Sequence, residues 1–148
     1  MARVDGQPKQ TILFHAMTVE LKERLETVRQ ALLALHKTLV DSERVTYEQT
    51  VGPIRSPNQF LQLLTTDPWF AWLQPLSQLI VSMDEALDGK EPLTAETVDA
   101  AIKEANKLLV ASETGEGFSH HYFDALQRDP NVVVAHADVM KLFGQKKS

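Results

Sequence analysis

The sequence contains no cysteine, which excludes disulfide bonds and thiolate chemistry as sources of stability or reactivity. A chain without disulfides fits a reducing cytosol. The first ten residues are polar, and the apolar cluster at residues 12–17 is too short for a secretory signal sequence. We therefore expect a cytoplasmic protein.

Motifs for catalysis are also missing. The glycine-containing stretch at residues 114–119 lacks the lysine of a phosphate-binding loop. The sequence has no Glu-x-x-His motif, which di-iron bundles place on two of their helices. Ser119 beside His120 is typical of a helix cap next to a surface histidine rather than of a nucleophile and its base. These absences favour a non-enzymatic role.

Long hydrophobic runs and basic surfaces are scarce too. The uncharged run between Asp67 and Asp84 is too short for a membrane span, and glutamine and serine residues interrupt it. The net charge is −5, and residues 66–100 hold seven acidic residues against one base, Lys90. We interpret this acidic section as a solvated corner between two helices, with a site for a basic partner as the alternative. The lack of a basic face argues against nucleic acid and membrane partners.

The strongest pattern that is present lies in residues 67–87. Two rows of apolar side chains recur every seven residues and predict one face of a helix. The rows are Trp69, Leu76 and Met83, and Leu73, Ile80 and Leu87. Asp67 followed by Pro68 is typical of a helix start. Because Pro75 removes a backbone hydrogen bond, we expect a kink near residues 71–74 or a second helix that begins at Pro75.

A long first helix is predicted from residue 11 or 18 to residue 51, after a disordered segment at residues 1–10. Its two heptad rows are Leu21, Val28 and Leu35, and Leu25, Leu32 and Leu39. A flanking row follows beside them, formed by Leu33, Val40 and Tyr47. Fraying of residues 45–51 would end the helix near Ser42 instead.

Cap and turn signals predict further helices at residues 57–64, 94–112, 119–128 and 131–143. Their predicted N-terminal caps are Ser56, Thr94, Ser119 and Asn131. Four substantial helices with short connections predict an all-α fold, an up-and-down four-helix-type bundle with short additional helices. We expect a single domain over residues 11–144, followed by a flexible tail at residues 145–148.

Histidines are the main chemical resource of the sequence. His120 and Asp124 are four residues apart and share a helix face, and His136 on the next helix can fold back toward them. A His–Asp–His set is able to bind zinc or iron. The alternative is that these residues are ordinary surface or structural side chains.

Aromatic residues define a second candidate site. Trp69 and Trp72 precede Pro75, and a bend there with Tyr122 nearby would form a pocket for a small apolar ligand. The competing interpretation assigns the same aromatic side chains to the hydrophobic core.

These observations lead to a functional hypothesis that rests mainly on the helix faces. We expect a non-enzymatic protein-interaction or regulatory module that binds a protein partner or a second copy of itself. The alternatives are a metal-binding bundle that uses His120, Asp124 and His136, and a small-molecule sensor or carrier with an aromatic pocket near Trp69 and Trp72.

Overall fold

The computed structural model describes the backbone of residues 2–144 and the side chains of residues 16–144. The described chain is all-helical, which confirms the predicted fold class. Its elements in order are α1 Ala2–Thr50, α2 Pro57–Thr66, a 3₁₀ helix Pro68–Leu73, α3 Gln74–Asp88, α4 Ala95–Leu108, α5 Phe118–Arg128 and α6 Pro130–Gly144. The predicted tail at residues 145–148 lies outside the described residues.

The four longest helices, α1, α3, α4 and α6, form the bundle. α1 contacts the other three, and α4 also contacts α3 and α6. The predicted heptad rows of α1 face this core, and their buried members are exposed by 3% or less. Those members are Leu25, Val28, Leu32, Leu35 and Leu39. α2, the 3₁₀ helix and α5 are the short additional elements.

α1 is far longer than its neighbours. It has 49 residues, whereas the other α-helices have 10 to 15. At 1.5 Å per residue, α1 is about 73 Å long. It begins at Ala2, so the predicted starts at residues 11 and 18 are too late, and the segment expected to be disordered is helical from Ala2 onward. The helix continues to Thr50 and does not end near Ser42.

The central stretch contains two helices rather than one kinked helix. Asp67 Oδ1 accepts a hydrogen bond of 2.8 Å from the Trp69 amide, and Pro68 begins the 3₁₀ helix. α3 then starts at Gln74, with Pro75 in its first turn. In the first turn of a helix the amide N–H has no intrahelical partner, so proline there removes no hydrogen bond. The chain can therefore start a new helix here instead of continuing one kinked helix.

Two of the four predicted caps are confirmed and two are wrong. Ser56 accepts from the Gln59 amide at 3.0 Å, and Thr94 accepts from the Thr97 amide at 3.1 Å. Ser119 does not cap α5, which follows Gly117 at φ 64° and has no side-chain cap. At the start of α6 the acceptor is Asp129, which binds the Asn131 amide at 2.9 Å.

No helix within residues 2–144 combines the length and the apolar character that a membrane crossing requires.

Candidate functional site

His120 and Asp124 come together as predicted, on the exposed face of α5. His120 Nε2 lies 3.5 Å from Asp124 Oδ2. His120 Nδ1 donates to the Glu113 carbonyl oxygen at 3.1 Å. The pair supplies two of the three residues of the predicted metal site.

His136 makes a different contact. Its Nδ1 forms a hydrogen bond of 2.7 Å with the Tyr122 hydroxyl, and this bond joins α5 to α6. Burial lowers the pKa of His136 and raises the pKa of Tyr122, so both side chains stay neutral near pH 7. Residues 16–144 contain no group of three histidine or carboxylate side chains placed to hold a metal ion. The metal site stays a prediction that these contacts do not support.

The aromatic residues of the predicted pocket separate into two clusters within the core. Trp69 packs edge-on against Tyr47 of α1 at 5.5 Å between ring centroids. Trp72 instead stacks on His121 of α5 at 5.2 Å. Trp72 is 8% exposed and Tyr122 is fully buried. These contacts favour the core interpretation, and the ligand pocket stays a prediction.

A partly buried ion pair that was not expected from the sequence joins α1 to α5. Arg128 Nη2 donates to Glu43 Oε2 at 2.6 Å, and Arg128 Nε donates to the Ser42 hydroxyl at 3.1 Å. Glu43 is 6% exposed and Ser42 is 5% exposed. Arg128 is the last residue of α5, where a positive charge also complements the helix dipole.

His36 forms a third polar contact between helices. Its Nε2 lies 2.7 Å from the Ser77 hydroxyl, which connects α1 to α3. Burial lowers the pKa of His36. The described histidines with a lowered pKa, His36 and His136, therefore serve as neutral hydrogen-bonding groups between helices. The side chain of His15 lies outside the described residues.

Seven residues of α1 and one residue of α2 line an open apolar groove with a volume of about 670 Å³. We call it the α1–α2 groove. Its lining residues are Arg29, Gln30, Leu33, Ala34, His36, Lys37, Val40 and Leu64. Leu33 is 43% exposed here. The charged lining residues are both basic, and no carboxylate contributes to the lining.

A second groove lies on the other side of α1, against α6, with a volume of about 560 Å³. We call it the α1–α6 groove. Its lining residues are Ala34, Thr38, Asp41, Ser42, Val45, Asp129, Asn131, Val134, Ala135 and Asp138. Three of them are aspartates and none is basic. The two grooves share Ala34, and Asp41 of this groove is paired with Lys37 of the other at 3.0 Å.

No family model, curated protein or solved structure matches this chain. The function must therefore be argued from the geometry of the chain itself. The described residues form two surface grooves beside α1, and polar side chains connect the helices. The grooves were missed at the sequence level because each depends on how α1 packs beside another helix, which local periodicity does not show.

Proposed function

We propose that this chain is a non-enzymatic protein-interaction module that receives a partner segment in the α1–α2 groove. The observation that carries the proposal is the exposure of Leu33 at the mouth of an apolar groove on the longest helix. Leu33 belongs to the flanking row of α1 together with Val40 and Tyr47. Val40 is 8% exposed and Tyr47 packs against the core, whereas Leu33 is 43% exposed.

Covering Leu33 would stabilise a complex. Full burial of a leucine side chain contributes about 1.5–3 kcal/mol, so burial of the remaining exposed fraction contributes roughly 1 kcal/mol. Leu64, which is partly buried, supplies further apolar contact surface in the same groove. A partner helix that inserts two or three apolar side chains would therefore gain affinity from several adjacent contacts.

The polar contacts of the bundle support a binding role over catalysis. His36, His136 and Glu43 are the side chains whose burial most resembles that of catalytic groups. Each of them contacts a residue of another helix: His36 contacts Ser77, His136 contacts Tyr122 and Glu43 contacts Arg128. These contacts account for the three groups as elements of structure.

The proposal is tested by the size of the native complex. The wild-type chain, expressed in its native cells, is expected to elute in gel filtration as part of a larger assembly. Leu33→Asp places a charge in the groove and is expected to release the chain at its free size. Val81→Asp on α3 is the matched control, because Val81 is 52% exposed and lies away from both grooves.

Two results would contradict the proposal. The first is a wild-type chain that elutes at its free size under all conditions. The second is an assembly that Leu33→Asp and Val81→Asp disrupt equally, because the α1–α2 groove would then have no special role. Unfolding curves of both variants must match that of the wild type for either comparison to count.

A further inference from the structure

We propose that the segment received by the α1–α2 groove is an amphipathic helix with acidic side chains along its polar edge. This inference rests on the proposed function and specifies the chemistry of the partner. It is carried by the shape of the groove, by its basic rim and by the contrast with the acidic groove on the other side of α1.

The shape of the groove suits a short helical segment. Its lining on α1 extends from Arg29 to Val40, which corresponds to about 17 Å, or roughly three turns. Leu33 and Val40 lie seven residues apart on one face, and Leu64 is the one lining residue from α2. A helix bound in such a groove inserts apolar residues at positions i, i+3 or i+4, and i+7. Three turns are enough to present such a set.

The rim of the groove offers donors for carboxylates. Arg29 Nε donates to Asp84, and neither Nη atom of Arg29 has a hydrogen-bond partner among residues 16–144. A guanidinium group has five N–H donors, so Arg29 can bind a partner carboxylate in the bidentate manner while it keeps Asp84. Lys37 contacts Asp41 at 3.0 Å, but its side chain is 78% exposed. Its ammonium group therefore also has donors left for a partner.

Arg29 and Lys37 are eight residues apart on α1, so their attachment points lie about 12 Å from each other along the helix axis. Acidic residues seven or eight positions apart on a partner helix have nearly the same spacing. Eight residues also correspond to a rotation of about 80° around α1, so the two bases lie on either side of Leu33 and Val40. They select a partner with acids on both edges of its apolar stripe.

The α1–α6 groove, on the same helix, disfavours an acidic partner. Asp129 and Asp138 would repel an acidic segment, whereas the third aspartate, Asp41, is paired with Lys37. Asp138 has no ion-pair partner within residues 16–144. An acidic partner is thus attracted to one side of α1 and repelled from the other, which predicts a single preferred groove.

The test uses two fluorescently labelled peptides of 18 residues, each with leucines at helical spacing. One carries glutamates along the polar edge, and the other carries lysines at the same positions. Fluorescence anisotropy with the full chain is expected to show saturable binding of the glutamate peptide, weakened several-fold by an increase in salt from about 0.05 to 0.5 M. The lysine peptide is expected to bind at least about tenfold more weakly, because it meets the basic rim.

Variants locate the bound peptide. Arg29→Gln is expected to weaken binding of the glutamate peptide by about tenfold, the effect of losing a charge-assisted hydrogen bond. Arg29→Lys keeps the charge but loses the bidentate geometry, so its effect is expected to be smaller. Leu33→Asp is expected to abolish saturable binding, whereas Val134→Asp in the α1–α6 groove, where Val134 is 61% exposed, is expected to leave it unchanged.

Several outcomes would overturn the inference. They are a failure of both peptides to bind, tighter binding of the lysine peptide, or binding of the glutamate peptide that Leu33→Asp does not change. Self-association of the wild-type chain that Leu33→Asp abolishes would assign the groove to a second copy instead. In that last case the proposed function stands and only the acidic-helix inference fails, whereas an assembly insensitive to Leu33→Asp removes both.

Discussion

Replacement of Arg128 by methionine is the most informative change to the interior of this protein. It leaves the Glu43 carboxylate 6% exposed and without the guanidinium that contacts it at 2.6 Å. It also removes the donor to the buried hydroxyl of Ser42. Loss of one partner from a fully buried ion pair typically costs 3–5 kcal/mol. Because the Arg128 side chain is 33% exposed and solvent screens part of the interaction, we expect a loss of about 2–4 kcal/mol.

The two halves of the pair are expected to behave differently. Glu43→Gln leaves behind an arginine that can turn toward solvent, so its cost is expected to be about 1–2 kcal/mol. The double variant Glu43→Leu with Arg128→Met removes both charges and keeps similar volume. Its stability is expected to lie near that of the wild type, because no buried charge is left without a partner.

Urea unfolding at pH 7, followed by tryptophan fluorescence and by circular dichroism, measures these differences. Arg55→Met is the control, because Arg55 is exposed and lies in the connection between α1 and α2. The reasoning is refuted if Arg128→Met costs no more than Arg55→Met. It is also refuted if the double variant is less stable than Arg128→Met alone.

Three further predictions concern the histidines. Tyr122→Phe removes the hydroxyl that lies 2.7 Å from His136 Nδ1, so the free energy of unfolding is expected to fall by about 0.5–1.5 kcal/mol in urea titrations. Burial lowers the pKa of His36, so the unfolded chain takes up a proton before the folded chain does as the pH falls below about 6.5. The free energy of unfolding is therefore expected to decline there. His36→Gln should reduce the slope of the free energy of unfolding against pH between pH 7 and 5, and an unchanged slope would contradict this. Because His136 is hydrogen-bonded to Tyr122, His120→Ala is expected to leave the metal content of the purified protein unchanged in elemental analysis. If the wild type holds stoichiometric metal and this variant loses it, the result would support the predicted site of His120, Asp124 and His136.

Local periodicity was the part of the fold that the sequence could predict. The rows of leucine and valine in α1 and the apolar rows around Leu76 and Met83 recur every seven residues, because a helix brings such positions to one face. The structure buries most of these positions, whereas Leu21, Trp69 and Leu87 at the ends of their rows are only partly buried. Proline and serine signals also placed the starts of the 3₁₀ helix and α2 correctly, since capping depends on residues only two or three positions away.

Contacts between distant segments were beyond the reach of that reasoning. Glu43 and Arg128 are separated by 85 residues, and His36 and Ser77 by 41. Nothing local in the sequence distinguishes these side chains from exposed ones, because their burial depends on the packing of whole helices. The wrong cap at α6 has a simpler cause. Both Asp129 and Asn131 are good capping residues, and Pro130, which suits a first helical position, favours the residue before it.

The candidate site was predictable only in part. The pairing of His120 with Asp124 follows from their spacing of four residues. The contact of His136 with Tyr122 does not, because it depends on how α5 and α6 pack. Leu33 was identified as part of a flanking row, but its exposure depends on where α2 ends relative to α1.

Site-specific photocross-linking from position 33 tests the central claim most directly. With p-benzoylphenylalanine in place of Leu33, illumination of native cells is expected to give a discrete cross-linked product whose mass spectrum identifies one protein segment. The same group in place of Val81 is expected to give none. Equal, diffuse labelling from both positions would contradict the claim that the α1–α2 groove is a binding site.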